Sequence, residues 1–123
     1  MKSPVEHVKI SAKGKEILIK IKRNTGLEHW NQICRIAFCR SLANTTYPTK
    51  FDKTSDNAID IEWKTFAGIY DNELAALFYI RALIDKIDIN NKDEINEYFR
   101  SHIERGLVNI QNTKHAKELV YAN

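Results

Sequence analysis

Two cysteines, four histidines and sixteen carboxylates are the side chains of this 123-residue sequence that could do chemistry. Cys34 and Cys39 are five apart, which is not the CxxC spacing of a zinc or redox pair, and no second ligand pair exists. On a helix, five residues turn the chain by roughly 500°, so the thiols point about 140° apart and do not form a disulfide. A persulfide carrier needs an accessible thiolate of low pKa. Arg35 and Arg40 would favour one, yet both cysteines fall among apolar residues at helical spacing. They are expected to pack as small, reduced, buried thiols, which suits a cytoplasmic protein. His7, His29, His102 and His115 show no HExxH or paired-ligand spacing. His102 lies on an apolar stripe and is expected to be a hydrogen-bonded core group. Asp85, Asp88, Asp93, Glu94 and Glu97 flank a turn and a helix start, where caps explain carboxylates better than acid–base pairs. No Gly-rich phosphate loop and no G-x-S-x-G elbow occurs. The residues therefore assign no catalytic role, no metal and no cofactor.

The charge pattern says more. Residues 1–53 hold eleven Lys/Arg against four acidic side chains, a balance of +7. Residues 54–123 hold eight against twelve, a balance of −4. The whole-chain value of +3 hides this division. A basic half fits a polyanion such as nucleic acid, or an acidic protein surface. Tyr47, Phe51 and Trp63 lie near Lys50, Lys53 and Lys64. Such rings could stack on an opened strand, or they could pack in the core. No run reaches the ~20 apolar residues that span a bilayer, and the N-terminus lacks the apolar run of a signal peptide. The longest apolar segment, 74–84, is interrupted by Arg81.

The elements that must position these residues follow from periodicity. Residues 1–4 are expected to fray. Over 5–12, Val8 and Ile10 alternate with His7, Lys9 and Ser11, the period of a half-buried strand. Ser11 can cap a helix over 12–24, with Ile17, Leu18 and Ile21 as its apolar stripe. Asn24-Thr25-Gly26 stops it, because Gly26 accepts the left-handed C-cap conformation. A second helix over 28–42 repeats Trp30, Ile33, Cys34, Ala37, Phe38 and Leu42. Residues 44–56 read as a loop. Ile59, Ile61 and Trp63 alternate with acidic and basic neighbours as a second strand, ended by Gly68. Asp71 can cap a third helix over 72–87, packed through Leu74, Leu77, Phe78, the Arg81 stem and Ile84. Asn91 and Glu94 resemble a capping box opening a fourth helix over 92–110. Residues 111–123 form a tail. The expected fold is mainly α with short strands, in one domain. A ribbon–helix–helix-like half over 5–43 precedes an acidic half over 57–110, a strand plus two helices.

A strand, a helix, a Gly turn and a second helix within 45 residues cannot be stable as one copy, since a lone strand leaves its backbone groups unpaired. Two chains can pair their strands into a ribbon that fits the DNA major groove; if the 59–66 strand pairs instead with the 5–12 strand of the same chain, the ribbon is not free to enter a groove. On that reading His7, Lys9 and Ser11 point outward. Amides near Glu28 and His29 could hold a phosphate, although the Glu28 charge opposes it. The candidate DNA-binding residues are His7, Lys9, Lys13, Lys15, Lys20, Lys22, Arg23, Arg35 and Arg40. With the cations spread along the first helix, a charged platform fits better than a sequence-reading ribbon.

Arg23-Asn24-Thr25-Gly26-Leu27, then Ile33-Cys34-Arg35-Ile36-Ala37-Phe38-Cys39 and Ser41-Leu42, resemble the signature of the DndE family of DNA sulfur-modification proteins. Phe66-x-Gly68-x-Tyr70-Asp71 and Phe99-Arg100-x-His102-x-x-Arg105-Gly106-Leu107 add to the resemblance, which runs over about residues 8–110. The family often has Thr-Pro after its Gly-Leu, where this chain has Glu28-His29. The resemblance implies a non-catalytic subunit of the machinery that replaces a non-bridging backbone oxygen of DNA with sulfur. It implies double-stranded DNA, nicked duplexes included, as one partner. It also implies the ATPase and iron–sulfur sulfurtransferase subunits as others, and a homo-oligomer, a tetramer, as the assembly. Two other readings are a scaffold docking those protein partners and a ribbon–helix–helix transcriptional repressor.

Overall fold

The computed structural model describes residues 1–51 and 57–120. Lys53, the end of the predicted 44–56 loop and the last three residues of the tail lie outside the described residues.

Strand β1 (His7–Ser11) buries Val8 and Ile10 completely and exposes His7 and Lys9, as its alternation requires. Ser11 then caps α1 (Ala12–Thr25), its Oγ accepting from the Gly14 N–H at 3.0 Å. Gly14, Ile17, Leu18 and Ile21 form the buried stripe of α1. Gly26, at φ 76°, ends it by donating its N–H to the Lys22 carbonyl at 3.0 Å. Helix α2 (Trp30–Ala43) begins two residues later than the sequence pattern suggests. Leu27 packs against the core, and the chain is still extended at His29, the N-cap, which offers no side-chain bond.

Strand β2 (Asn57–Glu62) pairs antiparallel with β1 of the same chain: His7 opposite Glu62, Val8 opposite Ile61, Lys9 opposite Asp60. The unpaired-strand problem, assigned above to two chains, is thus solved within one. The second strand was expected to run through Trp63. Instead Trp63–Ala67 form a short helix, α3. The Trp63 N–H still donates to the Glu6 carbonyl at 3.0 Å, but its ring turns inward against Phe66 and Phe99, at 5.6 and 6.0 Å between centroids. Burial of Trp63 continues the strand's alternation while its backbone leaves the strand.

A 3-10 turn (Gly68–Tyr70) leads into α4 (Asp71–Ile84), which stops three residues short of the expected 87. Leu74 and Phe78 are buried, whereas Leu77 and Ile84, expected to pack, face outward. Helix α5 (Lys92–Ile110) has the expected bounds. Asn91 accepts from the Glu94 N–H at 3.2 Å, but Glu94 reaches the Asp88 N–H and so makes no reciprocal box. A short helix, α6 (Lys117–Val120), buries Leu119. Residues 1–4 lie outside the helices and strands; Pro4 is buried and the Met1 ammonium donates to Asn72 Oδ1 at 3.4 Å.

The core draws on both halves of the chain. Phe38 of α2 stacks on Phe99 of α5 at 4.6 Å and meets the rings of Phe66 and Phe78. Gly106 of α5 lies so close to α2 that a Cβ there would overlap the Ala37 carbonyl. Helix ends leave carbonyls without intrahelical partners, and two arginines take those of α2. Arg81 donates to the carbonyls of Leu42 at 2.8 Å, Thr46 at 2.6 Å and Asn44, and is held by Asp85 at 3.0 Å. Arg105 donates to the Ser41 carbonyl at 2.7 Å and the Thr46 carbonyl at 2.9 Å.

Candidate nucleic-acid interface

Helix α1 positions most of the cations singled out from the sequence. At about 100° per residue, its buried stripe leaves an outward arc of roughly half a turn. Lys13 and Lys20 line one flank of that arc, Lys15 and Lys22 the other, with Glu16, Ile19 and Arg23 between; all are exposed. Each flanking pair is seven residues apart, about 10.5 Å along the axis. Lys22 also holds its ammonium 5.9 Å from the centre of the Trp30 ring. None of Lys9, Lys13, Lys15, Lys20, Lys22 or Arg23 makes an ion pair with a described residue.

The ribbon's outer face is different. Residues directly opposite across a ladder share a face, so His7 and Lys9 stand beside Glu62 and Asp60. His7 Nδ1 lies 2.7 Å from Asp60 Oδ1. In-chain pairing therefore sets two carboxylates among the positions expected to meet DNA. Ser11, expected to point outward with them, is 4% exposed. Its amide donates to Glu104 Oε2 at 3.2 Å and its hydroxyl to Glu104 Oε1. A residue that caps a helix inside the fold cannot also face a groove.

Arg35 and Arg40 lie away from the lysines, on the wall of an apolar cleft of about 730 Å³ between α2, α4 and α6. Arg35 donates to the Phe66 carbonyl at 3.1 Å and stacks over Tyr70 at 5.8 Å. Arg40 donates to the Glu118 carbonyl at 2.7 Å. Glu28 and His29 are exposed ahead of α2, with no acidic residue in the helix's first turn.

The thiols part company. Cys34 is fully buried; burial first, then the Glu104 charge, pushes it up to about 12, against a smaller opposing effect of Arg35. Cys39 is exposed, contrary to the expectation of two buried thiols, because it lies on the cleft side of α2. Its pKa is also raised, by partial desolvation, with Arg35 opposing. His102 is a core histidine as expected, its Nδ1 2.8 Å from Ser41 Oγ. Burial, reinforced by Arg105 and Arg81, lowers its pKa to about 3, so the ring is neutral. Trp63 is in the core, while Tyr47 is 59% exposed and packs on Tyr98.

The sequence reading passed over two features. One is the outward face of α4, where Leu77, Ile80, Leu83 and Ile84 are 51–68% exposed. Its signal was present, since an apolar helix with no polar side has more than one face to cover. The other is Arg100, which stacks on Phe51 with its guanidinium carbon 4.2 Å from the ring centre. The family motif above included Arg100, but nothing in its spacing gave it a role at a site.

The model of the family described as the DNA sulphur modification protein DndE matches residues 7–118. The chain belongs to the DndE family. Among solved structures it is similar to the crystal structure of DndE from Escherichia coli B7A, a protein involved in DNA phosphorothioation modification. The TM-score is 0.67 at 19% sequence identity, covering 86% of this chain and 96% of that one. At that identity the likeness speaks for the fold. No curated sequence matches the chain significantly. In this DndE-family chain no helix among the described residues is long and apolar enough to cross a membrane.

Proposed function

We propose that this chain is a non-catalytic, DNA-binding accessory subunit of a DNA-backbone sulfur-modification complex. It holds duplex DNA, nicked duplexes included, on the cationic face of α1. The complex's ATPase and iron–sulfur sulfurtransferase are its protein partners. The observation that carries this reading is the set Lys13, Lys15, Lys20, Lys22 and Arg23, exposed on one helix and without ion pairs to described residues. Such a set exchanges condensed counterions for phosphates, which gives affinity that depends on salt and little on sequence. The mixed charge of the β1–β2 face favours this platform over the major-groove repressor.

The test is a charge reversal of Lys13, Lys15, Lys20 and Lys22 to Glu, followed by titration of intact, nicked and palindromic duplexes at two salt concentrations. Each phosphate that the variant no longer neutralises lowers the slope of log K against log salt by about 0.9. Unchanged affinity at low salt sinks the proposal. Tight binding confined to the palindrome returns the repressor reading.

The α4 face supports a homo-oligomer, a tetramer in the proposed assembly, because contiguous exposed apolar surface marks an interaction site. Replacing Ile80 and Ile84 by Glu is expected to lower the mass measured by light scattering. A wild-type chain that is monomeric, and that needs this face to capture the ATPase or sulfurtransferase, favours the scaffold reading instead.

A further inference from the structure

Arg100 of α5 is among the residues lining a cavity of about 420 Å³ between the N-terminal segment, β1 and α5. Its Nε and Nη2 atoms are closed to solvent and have no hydrogen-bond partner among the described residues. These two atoms form one edge of the guanidinium, the fork that grips two oxygens of a carboxylate or phosphate at once. A buried donor left unpaired costs about 1–3 kcal/mol, more when charged, so native structures seldom leave two on one side chain.

The obvious partners within α5 are engaged elsewhere. Glu97, three residues before, pairs with Lys50 Nζ at 3.1 Å. Glu104, four residues after, accepts from the amide and hydroxyl of Ser11; its charge reaches Arg100, but no hydrogen bond joins the two. The Phe51 ring stacks on the guanidinium plane, which fixes its orientation without using its edge. Arg100 is therefore held in position with its fork unfilled by any described residue.

The cavity wall and the DNA-binding reading together narrow the ligand. Lys9, Lys92 and Arg100 line it, and so do Glu6, Asp93 and Glu97. Glu6 lies 3.8 Å from the Lys92 ammonium. Among the described residues the lining carries three cations and three carboxylates, beside His7, so a monoanion with two equivalent oxygens suits the fork better than a dianion. We infer that this cavity is a phosphodiester site, in which the Nε/Nη2 edge of Arg100 grips the two non-bridging oxygens of one backbone phosphate. The inference deepens the DNA-binding reading, which supplies the source of the phosphodiester. It places one seated phosphate on α5, apart from the screened contacts of α1.

Both donors are closed to solvent, so reaching them needs a local opening of the wall, and the test reads the arginine directly. The full-length ¹⁵N-labelled chain is titrated with dimethyl phosphate at ionic strength held constant with chloride, and with inorganic phosphate in a parallel arm. The Arg100 Nε–H signal is assigned by its absence in R100K. It is expected to move downfield saturably with dimethyl phosphate, with a rise in thermal midpoint that R100Q and R100K lack. R100K keeps the charge without the fork, so it remains informative if R100Q folds poorly. No movement of the signal, equal stabilisation of R100K, or a response to inorganic phosphate alone overturns the assignment. The α1 charge reversal separates the two readings. It is expected to abolish duplex binding and leave the dimethyl phosphate response intact.

Discussion

Gly106→Ala is the substitution whose effect has the wrong sign when judged on secondary structure alone, and the fold reverses it. Gly106 is in the interior of α5, where exchange for Ala ordinarily stabilises a helix by about 1 kcal/mol. Here the new Cβ would overlap the carbonyl oxygen and carbon of Ala37 and stand 3.1 Å from its Cα. These are backbone atoms of α2 and have no rotamer by which to escape. Ordinary carbon contacts are about 3.5–4.0 Å, so the two helices must part by on the order of 1 Å. That movement loosens the Phe38–Phe99 stack, at 4.6 Å, at the centre of the core. Overpacking of this kind costs about 1–3 kcal/mol, occasionally more. Because the overlap is with backbone atoms, the upper end of about 3 kcal/mol applies; less the helix-propensity gain of about 1 kcal/mol, the expected outcome is a net loss of about 2 kcal/mol, out of the roughly 5–15 kcal/mol usual for a domain. Urea unfolding followed by circular dichroism reads this as a lower midpoint at an unchanged m-value. Gly14→Ala is the control. Its Cβ would meet Ile10 Cγ2 at 2.5 Å, a side-chain atom that moves only with the χ1 of a fully buried residue and not with the backbone of a helix, so a loss is expected there too, without the parting of α2 from α5. A Gly106→Ala protein as stable as the wild type, or more so, would refute the close approach of α2 and α5.

The thiols and the buried histidine give two further expectations. A mild aromatic disulfide reagent should modify Cys39 in the native chain and reach Cys34 only on unfolding, since one thiol is exposed and the other fully buried; rapid native modification of both would contradict the packing of α2. His102 is held at about 3 in the folded state against about 6.5 when unfolded. Between these values the unfolded chain binds more protons, so stability is full above about pH 6.5 and falls as pH drops toward 3. His102→Asn should flatten that part of the pH–stability curve, and an identical curve for the variant would show that His102 is not the group responsible.

The elements were legible where one periodicity ruled. The bounds of α5, the Ser11 cap and the Gly26 stop follow from local chemistry, since a cap or a left-handed glycine satisfies backbone groups only a few residues away. The reading failed where a residue's burial and its backbone state diverge. Trp63 is buried as the strand alternation required, yet it is the first residue of a helix. Ile84 is apolar at helical spacing, yet it is 68% exposed. Spacing shows that a residue is apolar and in phase, but not which of its neighbours covers it.

For the site, the sequence by itself determined that the cations concentrate in the first 53 residues and that α1 carries a run of them outside its apolar stripe. Charge and helical phase are local, so these needed no fold. Only the tertiary structure decided what those charges stand beside. Pairing of β1 with β2 of the same chain placed Asp60 and Glu62 beside Lys9 and His7, while the lysines of α1 were left without ion pairs to described residues. It also drew Arg81 and Arg105 onto the end of α2, and left the Nε and Nη2 atoms of Arg100 without a hydrogen-bond partner among the described residues, while Glu97 pairs with Lys50 and Glu104 with Ser11. Those outcomes rest on contacts between residues up to 93 positions apart, such as Ser11 with Glu104. Electrostatic and hydrogen-bond energies depend on distance in space, which no local pattern of residue types encodes.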